Sequence, residues 1–333
     1  MKITIGTRAS KLAMFQTRWI AQRLNQLWPN LDVEIEQIRT IGDRITNVPL
    51  AQIGGDGVFV TEIERALQEH RIDLAVHSLK DLPTVQPEDL RIVVVGPRED
   101  VRDVFVSREK FLIADGRLIA AEVAAEVHTP LYIGTGSLRR TAQIREFCPD
   151  VEILPLRGNV DTRIRKLDAG EYDGIILAAA GLHRLDLPAR LVGRLTYFPV
   201  EMVLPAPGQG ALALECRDEA MVQELLAPLQ DLIVHAATSA ERMFMRRLGA
   251  GCYLPVAAYG SIVDNILTLR GLVASLDGRQ RIDVMQQMPW TATSTLADAE
   301  QLGIRVAEQA LMQGAQKIIQ TLSVLREQES LHV

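Results

Sequence analysis

Hydrophobic and polar positions follow two alternating rhythms along the first hundred residues. Residues 2–6 and 33–35 show the period of two that is typical of half-buried strands, and 73–77 is a mostly apolar run of strand length. Residues 12–27 carry apolar side chains every three or four positions, as on one face of a helix. Strands and helices in this order predict a parallel sheet with helices packed on its faces.

The same alternation restarts near residue 103. The predicted strands are 132–134, 151–156 and 174–180, and the predicted helices are 137–146 and 160–167. The rhythm changes near residue 228, where a helix leads into alternating segments at 266–273 and 281–288 and a closing helix over 296–313. The chain is therefore predicted to be α/β over most of its length, with a separate α+β unit at the end.

Length and composition limit the class of protein. At 333 residues the chain is long enough for two or three domains. With 47% hydrophobic and 23% charged residues it is neither disordered nor fibrous. The net charge of −6 excludes the general basic footprint of a nucleic-acid-binding protein. The longest obvious apolar run, residues 175–182, is too short to span a membrane.

Two features bear on the cellular compartment. The first residues enter a predicted strand at once, without the apolar stretch or cleavage site of a secretion signal. The cysteines, Cys148, Cys216 and Cys252, show no Cys-x-x-Cys spacing, which argues against a disulfide framework and a cysteine-based zinc site. We therefore expect a cytoplasmic protein with reduced thiols and no bound metal.

Cationic side chains recur where predicted strands end. They are Arg8, Arg139, Arg140, Arg157 and Arg184, with Arg163 and Lys166 on one face of a predicted helix. Ligands of such sheets bind beyond the carboxyl ends of the strands, and the planar fork of arginine pairs with carboxylates bidentately. Residues 134–140 add backbone N–H groups at a helix start and a serine hydroxyl. The pattern favours a ligand with several carboxylates, although a solvated helix face explains part of it.

Two further residues are candidates for chemistry. Asp81 follows a predicted strand and precedes a proline turn; alone it is typical of a loop cap, but beside these cations it could stabilise positive charge or move protons. Cys252 lies in a glycine-flanked loop after an arginine-bearing helix. That setting favours a nucleophilic or ligand-bearing thiol more than an ordinary packing position would.

Six separate motifs together resemble the hydroxymethylbilane synthase family, also called the porphobilinogen deaminases. They are residues 6–10 (GTRAS), 75–83 (AVHSLKDLP), 134–140 (GTGSLRR), 156–160 (LRGNV), 205–210 (PAPGQG) and 251–252 (GC). The resemblance runs in order along essentially the whole chain. It implies an α/β fold with two periplasmic-binding-protein-like lobes, an active-site cleft between them, and a third, smaller α+β domain.

The resemblance also implies a domain division. Domain 1 would comprise residues 1–99 plus 205–227, domain 2 residues 103–204, and domain 3 residues 228–333. The protein would be a monomeric cytoplasmic transferase that acts on the small molecule porphobilinogen, without a nucleic-acid or membrane partner.

Members of the family join four porphobilinogen molecules head to tail, release ammonia at each step, and hydrolyse the chain off as hydroxymethylbilane. The resemblance implies a dipyrromethane cofactor, joined by a thioether to Cys252, as the primer. Asp81 matches the family's catalytic aspartate, which would stabilise the cation left by ammonia and assist proton transfer. The matching cofactor-binding residues are Lys80, Asp81, Ser137, Arg139, Arg140, Arg163 and Arg184, and the matching substrate-binding residues are Arg8, Ser10, Gln16, Arg157 and Arg184.

Three positions depart from the family pattern. Lys11 stands where many members have proline, and Gln52 and Asp56 stand where two lysines are common. The loss of two positive charges and the gain of a negative one fall in a glycine-rich loop that is expected to act as a mobile lid. We expect the longer, more anionic chains to be held less firmly, with Lys11 offsetting part of the loss.

Two other functions fit part of the sequence. A non-catalytic two-lobed protein that binds a polyanionic ligand would explain the arginines but would leave Asp81 and Cys252 without a role. A cysteine hydrolase built on Cys252 would need a histidine and an acid as partners, and no such pair is suggested by the spacing.

Overall fold

Two five-stranded mixed sheets and a smaller antiparallel sheet organise the chain. The computed structural model describes residues 1–40, 42, 57, 60–114, 116–121, 130–249 and 254–330, with 323–330 as backbone alone. Cys252 therefore lies outside the described residues. The predicted lid, with Gln52 and Asp56, also lies outside them, apart from Gly57.

The first lobe begins with a β-α-β-α-β succession, as predicted. Its elements are β1 (Lys2–Thr7), α1 (Lys11–Leu27), β2 (Asp32–Gln37), α2 (Thr61–Gln68), β3 (Leu74–Ser78) and β4 (Leu90–Val95). A one-turn 3₁₀ helix, Leu79–Asp81, follows β3 directly. The predicted cap of α1 is confirmed, because the Ser10 hydroxyl accepts a hydrogen bond from the Ala13 N–H.

The second lobe follows after a crossing segment, residues 96–102. Its elements are β5 (Asp103–Ser107), β6 (Phe111–Ala114), β7 (Arg117–Ala120), β8 (Leu131–Gly134), α3 (Leu138–Phe147), β9 (Val151–Leu154), α4 (Val160–Asp168), β10 (Gly174–Ala178), α5 (Ala179–Arg184) and β11 (Leu195–Tyr197). A second crossing segment, residues 198–211, then leads back to the first sheet as β12 (Leu212–Arg217).

The two large sheets share one topology. The first has the order β2-β1-β3-β12-β4 and the second β9-β8-β10-β5-β11. In each, three parallel strands are followed by an antiparallel strand and an edge strand. One crossing segment joins β4 to β5 and the other joins β11 to β12, so each connects the edge strand of one sheet to the antiparallel strand of the other. The carboxyl ends of the parallel strands carry the predicted cationic motifs.

The end of the chain forms the smaller α+β unit. After α6 (Ala220–Leu226) it comprises α7 (Leu232–Arg247), β13 (Val256–Val263), β14 (Ile266–Ala274), β15 (Arg281–Pro289), α8 (Leu296–Met312) and α9 (Ala315–Ser330). The three strands form an antiparallel sheet against which α7 and α8 pack. Gly303 lets the two helices approach closely, because a Cβ there would lie 2.4 Å from the Ala240 carbonyl oxygen.

The predicted fold class is confirmed, and two element boundaries were wrong. The strand predicted over 174–180 ends at Ala178, where α5 begins. The strand predicted over 151–156 ends at Leu154, because Pro155 has no N–H to donate to a neighbouring strand. Neither α9 nor the hairpin of β6 and β7 was predicted.

Candidate active site

The 3₁₀ turn after β3 presents Lys80 and Asp81 at the edge of the first sheet. Lys80 is half-buried, and its Nζ donates a hydrogen bond to Gln209 Oε1 at 3.2 Å. Burial lowers the pKa of Lys80 to about 8, against the opposing effect of the Asp81 carboxylate. Asp81 is exposed and makes no hydrogen bond or ion pair within the described part of the chain. Its carboxylate is therefore free to face a ligand.

A buried carboxylate that sequence reasoning missed, Asp103, holds the two arginines at the start of α3. Arg139 Nη1 lies 2.7 Å from Asp103 Oδ2, and Arg140 Nη2 lies 2.8 Å from Oδ1. Burial alone would raise the pKa of Asp103, but the two guanidinium groups outweigh it and hold the pKa well below its usual range. Asp103 thus fixes both arginines at the end of β8.

Gln209, also missed, joins the two lobes at this point. Its side-chain Nε2 donates to Asp103 Oδ1 at 2.9 Å, while its Oε1 accepts from Lys80. The side chain is fully buried in the second crossing segment. A continuous polar network therefore runs from Lys80 in the first lobe to Arg139 and Arg140 in the second.

Arg163 lies among the same charges. Its Nε donates to the Gly158 carbonyl oxygen at 2.7 Å. Burial, reinforced by Arg140 and Arg157 and opposed by Asp81, lowers its pKa to about 10. Arg163 is therefore close enough to Arg140, Arg157 and Asp81 to interact with them electrostatically, although Asp81 belongs to the other lobe.

Arg184 reaches the site differently from the prediction. It stands at the end of α5 and not directly after a strand, since α5 intervenes. Its Nη2 donates to the Gly210 carbonyl oxygen at 2.7 Å, next to Gln209. Burial lowers its pKa to about 10, opposed by Glu99. Arg184 is thus held against the second crossing segment.

The remaining predicted residues lie at the helix starts that flank the cleft. Ser10 caps α1, and Ser137 caps α3 by accepting from the Arg140 N–H at 3.4 Å. Gln16, which is buried, donates to Ser78 Oγ at 3.0 Å. Arg8 and Arg157 are half-buried at the ends of β1 and β9. The structure thus places the described candidates at the carboxyl ends of the parallel strands and on the helices that follow them.

Lys11 has a partner of its own. Its Nζ lies 3.3 Å from Asp161 Oδ2 on α4, so this exposed ion pair bridges the two lobes. The charge of Lys11 is therefore already paired with a carboxylate across the cleft mouth, and its expected compensation for Gln52 and Asp56 stays a prediction.

Neutralising Asp103 should destabilise the fold strongly. Asp103→Asn leaves Arg139 and Arg140 buried without their anion, a loss of about 3–5 kcal/mol when a buried ion pair is broken. The control is Asp168→Asn, whose carboxylate is half-exposed and 2.6 Å from Arg194, and it should cost less than about 1 kcal/mol. Urea denaturation of both variants measures the difference. Equal stability of the two would show that Asp103 is not the anchor of these arginines.

Within the described residues, the fold and the site define a class: a two-lobed α/β protein with cationic side chains and the exposed Asp81 at the carboxyl ends of its two large sheets. Among the described residues, no helix combines the length and apolar character needed to cross a membrane. Within the same residues, no group of His, Cys, Asp and Glu side chains is arranged to hold a metal ion.

Sequence comparison assigns the family. A family model for porphobilinogen deaminase, dipyromethane cofactor binding domain, matches residues 3–240, and one for porphobilinogen deaminase, C-terminal domain, matches residues 236–312. The porphobilinogen deaminase of Syntrophotalea carbinolica is 45% identical over 323 residues, which cover 97% of this chain and 96% of that relative. The chain belongs to the porphobilinogen deaminase family.

Other relatives agree with this assignment. The porphobilinogen deaminase of Syntrophobacter fumaroxidans is 44% identical, with 96% of this chain and 97% of that relative covered, and that of Geobacter sulfurreducens is 43% identical, with 96% and 94% covered. Solved structures of other proteins also match part of the chain. A probable amino-acid ABC transporter extracellular-binding protein from Bacillus subtilis gives a TM-score of 0.39 at 11% identity, over 69% of this chain and 90% of that one. No part of the assignment depends on that overlap.

Proposed function

We propose that the protein is a hydroxymethylbilane synthase, a transferase that joins four porphobilinogen molecules head to tail and releases the linear tetrapyrrole by hydrolysis. The observation that carries the proposal is the exposed Asp81 carboxylate at the edge of a cleft lined by Lys80, Arg140, Arg157 and Arg163. Each pyrrole of the substrate and product carries two carboxylates. The cations hold these carboxylates, and Asp81 faces the ring at which positive charge develops as ammonia leaves.

The residues present fit a dipyrromethane cofactor. Arg140 Nε is buried and has no hydrogen-bond partner in the described structure, although Nη1 and Nη2 are both engaged, so a donor remains for a ligand carboxylate. The residues that would hold the group are Lys80, Asp81, Ser137, Arg139, Arg140, Arg163 and Arg184. When bound, the cofactor supplies the pyrrole end to which the first substrate is joined.

The cofactor is attached by a thioether to Cys252. Two observations on the other cysteines support this assignment. Burial raises the pKa of the Cys216 thiol to about 11 and also raises that of Cys148. A raised pKa disfavours the thiolate, which is the reactive form. Cys252 is the proposed attachment residue because it matches the cysteine of the family motif.

Asp81 and the arginines have different roles in the proposed reaction. Asp81 stabilises the positive charge on the substrate ring and moves protons at the pyrrole nitrogen and α-carbon. Arg8, Ser10, Gln16, Arg157 and Arg184 bind the acetate and propionate groups of the incoming substrate. Because an ionic hydrogen bond contributes roughly 1.5–3 kcal/mol, losing one of these arginines should weaken binding by about one to two powers of ten.

The domain division follows the three larger sheets. Domain 1 comprises residues 1–99 plus 205–227, domain 2 residues 103–204, and domain 3 residues 228–333. The return of β12 to the first sheet supports the split first domain. The protein acts as a cytoplasmic monomer, with porphobilinogen as its partner and neither nucleic acid nor membrane.

Product formation tests the proposal. The purified protein is incubated with porphobilinogen, and ammonia and linear tetrapyrrole are quantified; four ammonia per tetrapyrrole are expected. A non-catalytic polyanion-binding protein would release neither ammonia nor tetrapyrrole, and that result would replace the proposal by its alternative.

The Lys80 pKa predicts a pH dependence of cofactor loading. A pKa lowered from 10.5 to about 8 means that the ammonium is present below pH 8 and is lost as the pH rises through 8. The parent apoprotein should therefore load preformed hydroxymethylbilane about tenfold faster than Lys80→Gln at pH 7, and the ratio of their rates should fall to about two at pH 9. Taking this ratio cancels the pH effects on ligand and thiol. A ratio that is constant from pH 7 to 9 would exclude a role for the Lys80 charge.

A further inference from the structure

Helix α7 of the third unit reaches the turn that carries Asp81. The Arg242 guanidinium donates from Nη1 to the carbonyl oxygens of Leu82 at 3.1 Å and Leu79 at 3.5 Å, and from Nη2 to that of Pro83 at 2.5 Å. These carbonyls flank Asp81 on both sides. Leu79 begins the one-turn helix, and its carbonyl also accepts the Leu82 N–H. The Leu82 and Pro83 carbonyls follow the helix, where no further turn supplies backbone N–H partners, and that of Pro83 also accepts from the Gln86 side chain. Arg242 therefore closes the end of this turn.

The neighbouring residue holds the other side of the turn. Glu241 is fully buried, and it accepts the Gly208 N–H at 2.6 Å and a bidentate pair from Arg98 at 2.7 and 3.0 Å. Gly208, at φ +76°, packs directly on the turn, because a Cβ there would lie 2.9 Å from Leu79 Cγ and 3.2 Å from the Lys80 nitrogen. The turn thus lies between a crossing segment fixed by Glu241 and the fork of Arg242.

No side chain in the described structure is hydrogen-bonded to the Asp81 carboxylate. Its side chain is exposed and makes no hydrogen bond there, so its position is set by the backbone of residues 79–83. The hydrogen bonds from Arg242 to this backbone are charge-assisted and therefore stronger than neutral ones. The planar guanidinium group also makes them at fixed angles, which restrains the turn. The same helix ends at Arg247, five residues before Cys252 in the chain.

We propose that Arg242 is a positioning residue for Asp81. It holds the turn of residues 79–83 in a fixed position against helix α7, which leads to the loop that contains Cys252. This inference rests on the proposed function. Arg242 acts through the three carbonyls to which it donates. Displacing a reacting group by about 1 Å can cost up to a hundredfold in rate, so the expected effect falls on the chemical steps and not on substrate affinity.

The test compares three variants of the holoenzyme. Arg242→Gln removes the fork, and Arg242→Lys keeps the charge and a donor. Arg247→Gln is the matched control on the same helix, since this exposed side chain pairs with Glu308 at 3.4 Å. The measurements are kcat and KM for porphobilinogen per mole of bound cofactor, and amide hydrogen exchange of residues 79–83.

Arg242→Gln should lower kcat at least about tenfold, with KM within threefold and cofactor content unchanged. Exchange at residues 79–83 should become faster. Arg242→Lys should recover part of the kcat and part of the protection from exchange, and Arg247→Gln should match the parent in both measurements. A kcat within twofold of the parent, or a loss of thermal stability alone, would overturn the proposal. If Arg242→Gln does not fold, Arg242→Lys decides: more than a twofold loss of kcat at the parent's KM supports it, and a smaller one overturns it.

The two proposals fail differently. A parent protein that does not turn over porphobilinogen refutes the proposed function. In that case hydrogen exchange at residues 79–83 still measures whether Arg242 holds the turn, and unchanged exchange in Arg242→Gln refutes the positioning role on its own.

Discussion

Asp81→Ala should fold, keep a cofactor delivered as preformed tetrapyrrole, and turn over porphobilinogen at least about 10²–10⁴-fold more slowly than the parent. The reason is electrostatic. Deamination leaves positive charge on a pyrrole, and Asp81 is the exposed carboxylate that the structure presents beside Lys80 and Arg163. Ammonia release per mole of cofactor is the measurement.

Two matched variants separate position from charge. Asp81→Glu keeps the negative charge but moves it by about a bond length, so it should retain slow activity. Glu88→Ala removes an exposed carboxylate from the same loop and should leave turnover unchanged. If Asp81→Ala with full cofactor occupancy stays within a few-fold of the parent, Asp81 is not the chemical centre, even though the family assignment stands.

Cys252→Ser should abolish covalent cofactor and with it all tetrapyrrole synthesis, because a serine hydroxyl is not ionised at neutral pH and forms no thioether. The intact mass should equal that of the bare polypeptide, and the acidic Ehrlich colour of dipyrromethanes should be absent.

Cys148→Ser is the control for this variant. Cys148 is a free, half-buried thiol whose pKa burial raises, so its replacement should leave the bound mass and the turnover as in the parent. If Cys252→Ser keeps the covalent cofactor, or if Cys148→Ser loses it, then Cys252 is not the attachment site.

The sequence predicted the cleft because the chemistry follows strand ends. Polar and cationic residues after apolar runs, such as Arg8 after β1 and Arg139 after β8, had to meet at the carboxyl edges of parallel sheets. Their order in the chain also matched the family motifs. Periodicity placed the helices whose starts are capped by Ser10 and Ser137. The local sequence pattern was sufficient to predict those elements whose determining contacts lie close together in the chain.

The residues that pattern missed are those whose role depends on contacts far along the chain. Asp103 reads as the first residue of an apolar strand, and its partners lie 36 and 37 residues away. Gln209 stood inside a quoted motif, but its contacts to Lys80 and Asp103 span 129 and 106 residues. No local rhythm indicates such a network. A charged residue at the buried end of a strand was the available signal for Asp103.

Arg242 was missed for a related reason. A charged residue on an amphipathic helix is typical of a solvated face, and the helix belongs to a different unit from Asp81. Its contacts to residues 79, 82 and 83 span 159 to 163 positions. Only the packing of the third unit against the first lobe gives it a role.

The most direct test of the account is the intact mass of the parent protein, purified from cells able to make porphobilinogen and then mixed with porphobilinogen. The account predicts a mass above the polypeptide by two pyrrole units, carried on the peptide that contains Cys252, and a series of complexes with up to four further units. A mass equal to the bare polypeptide, with no such series after porphobilinogen is added, would contradict it.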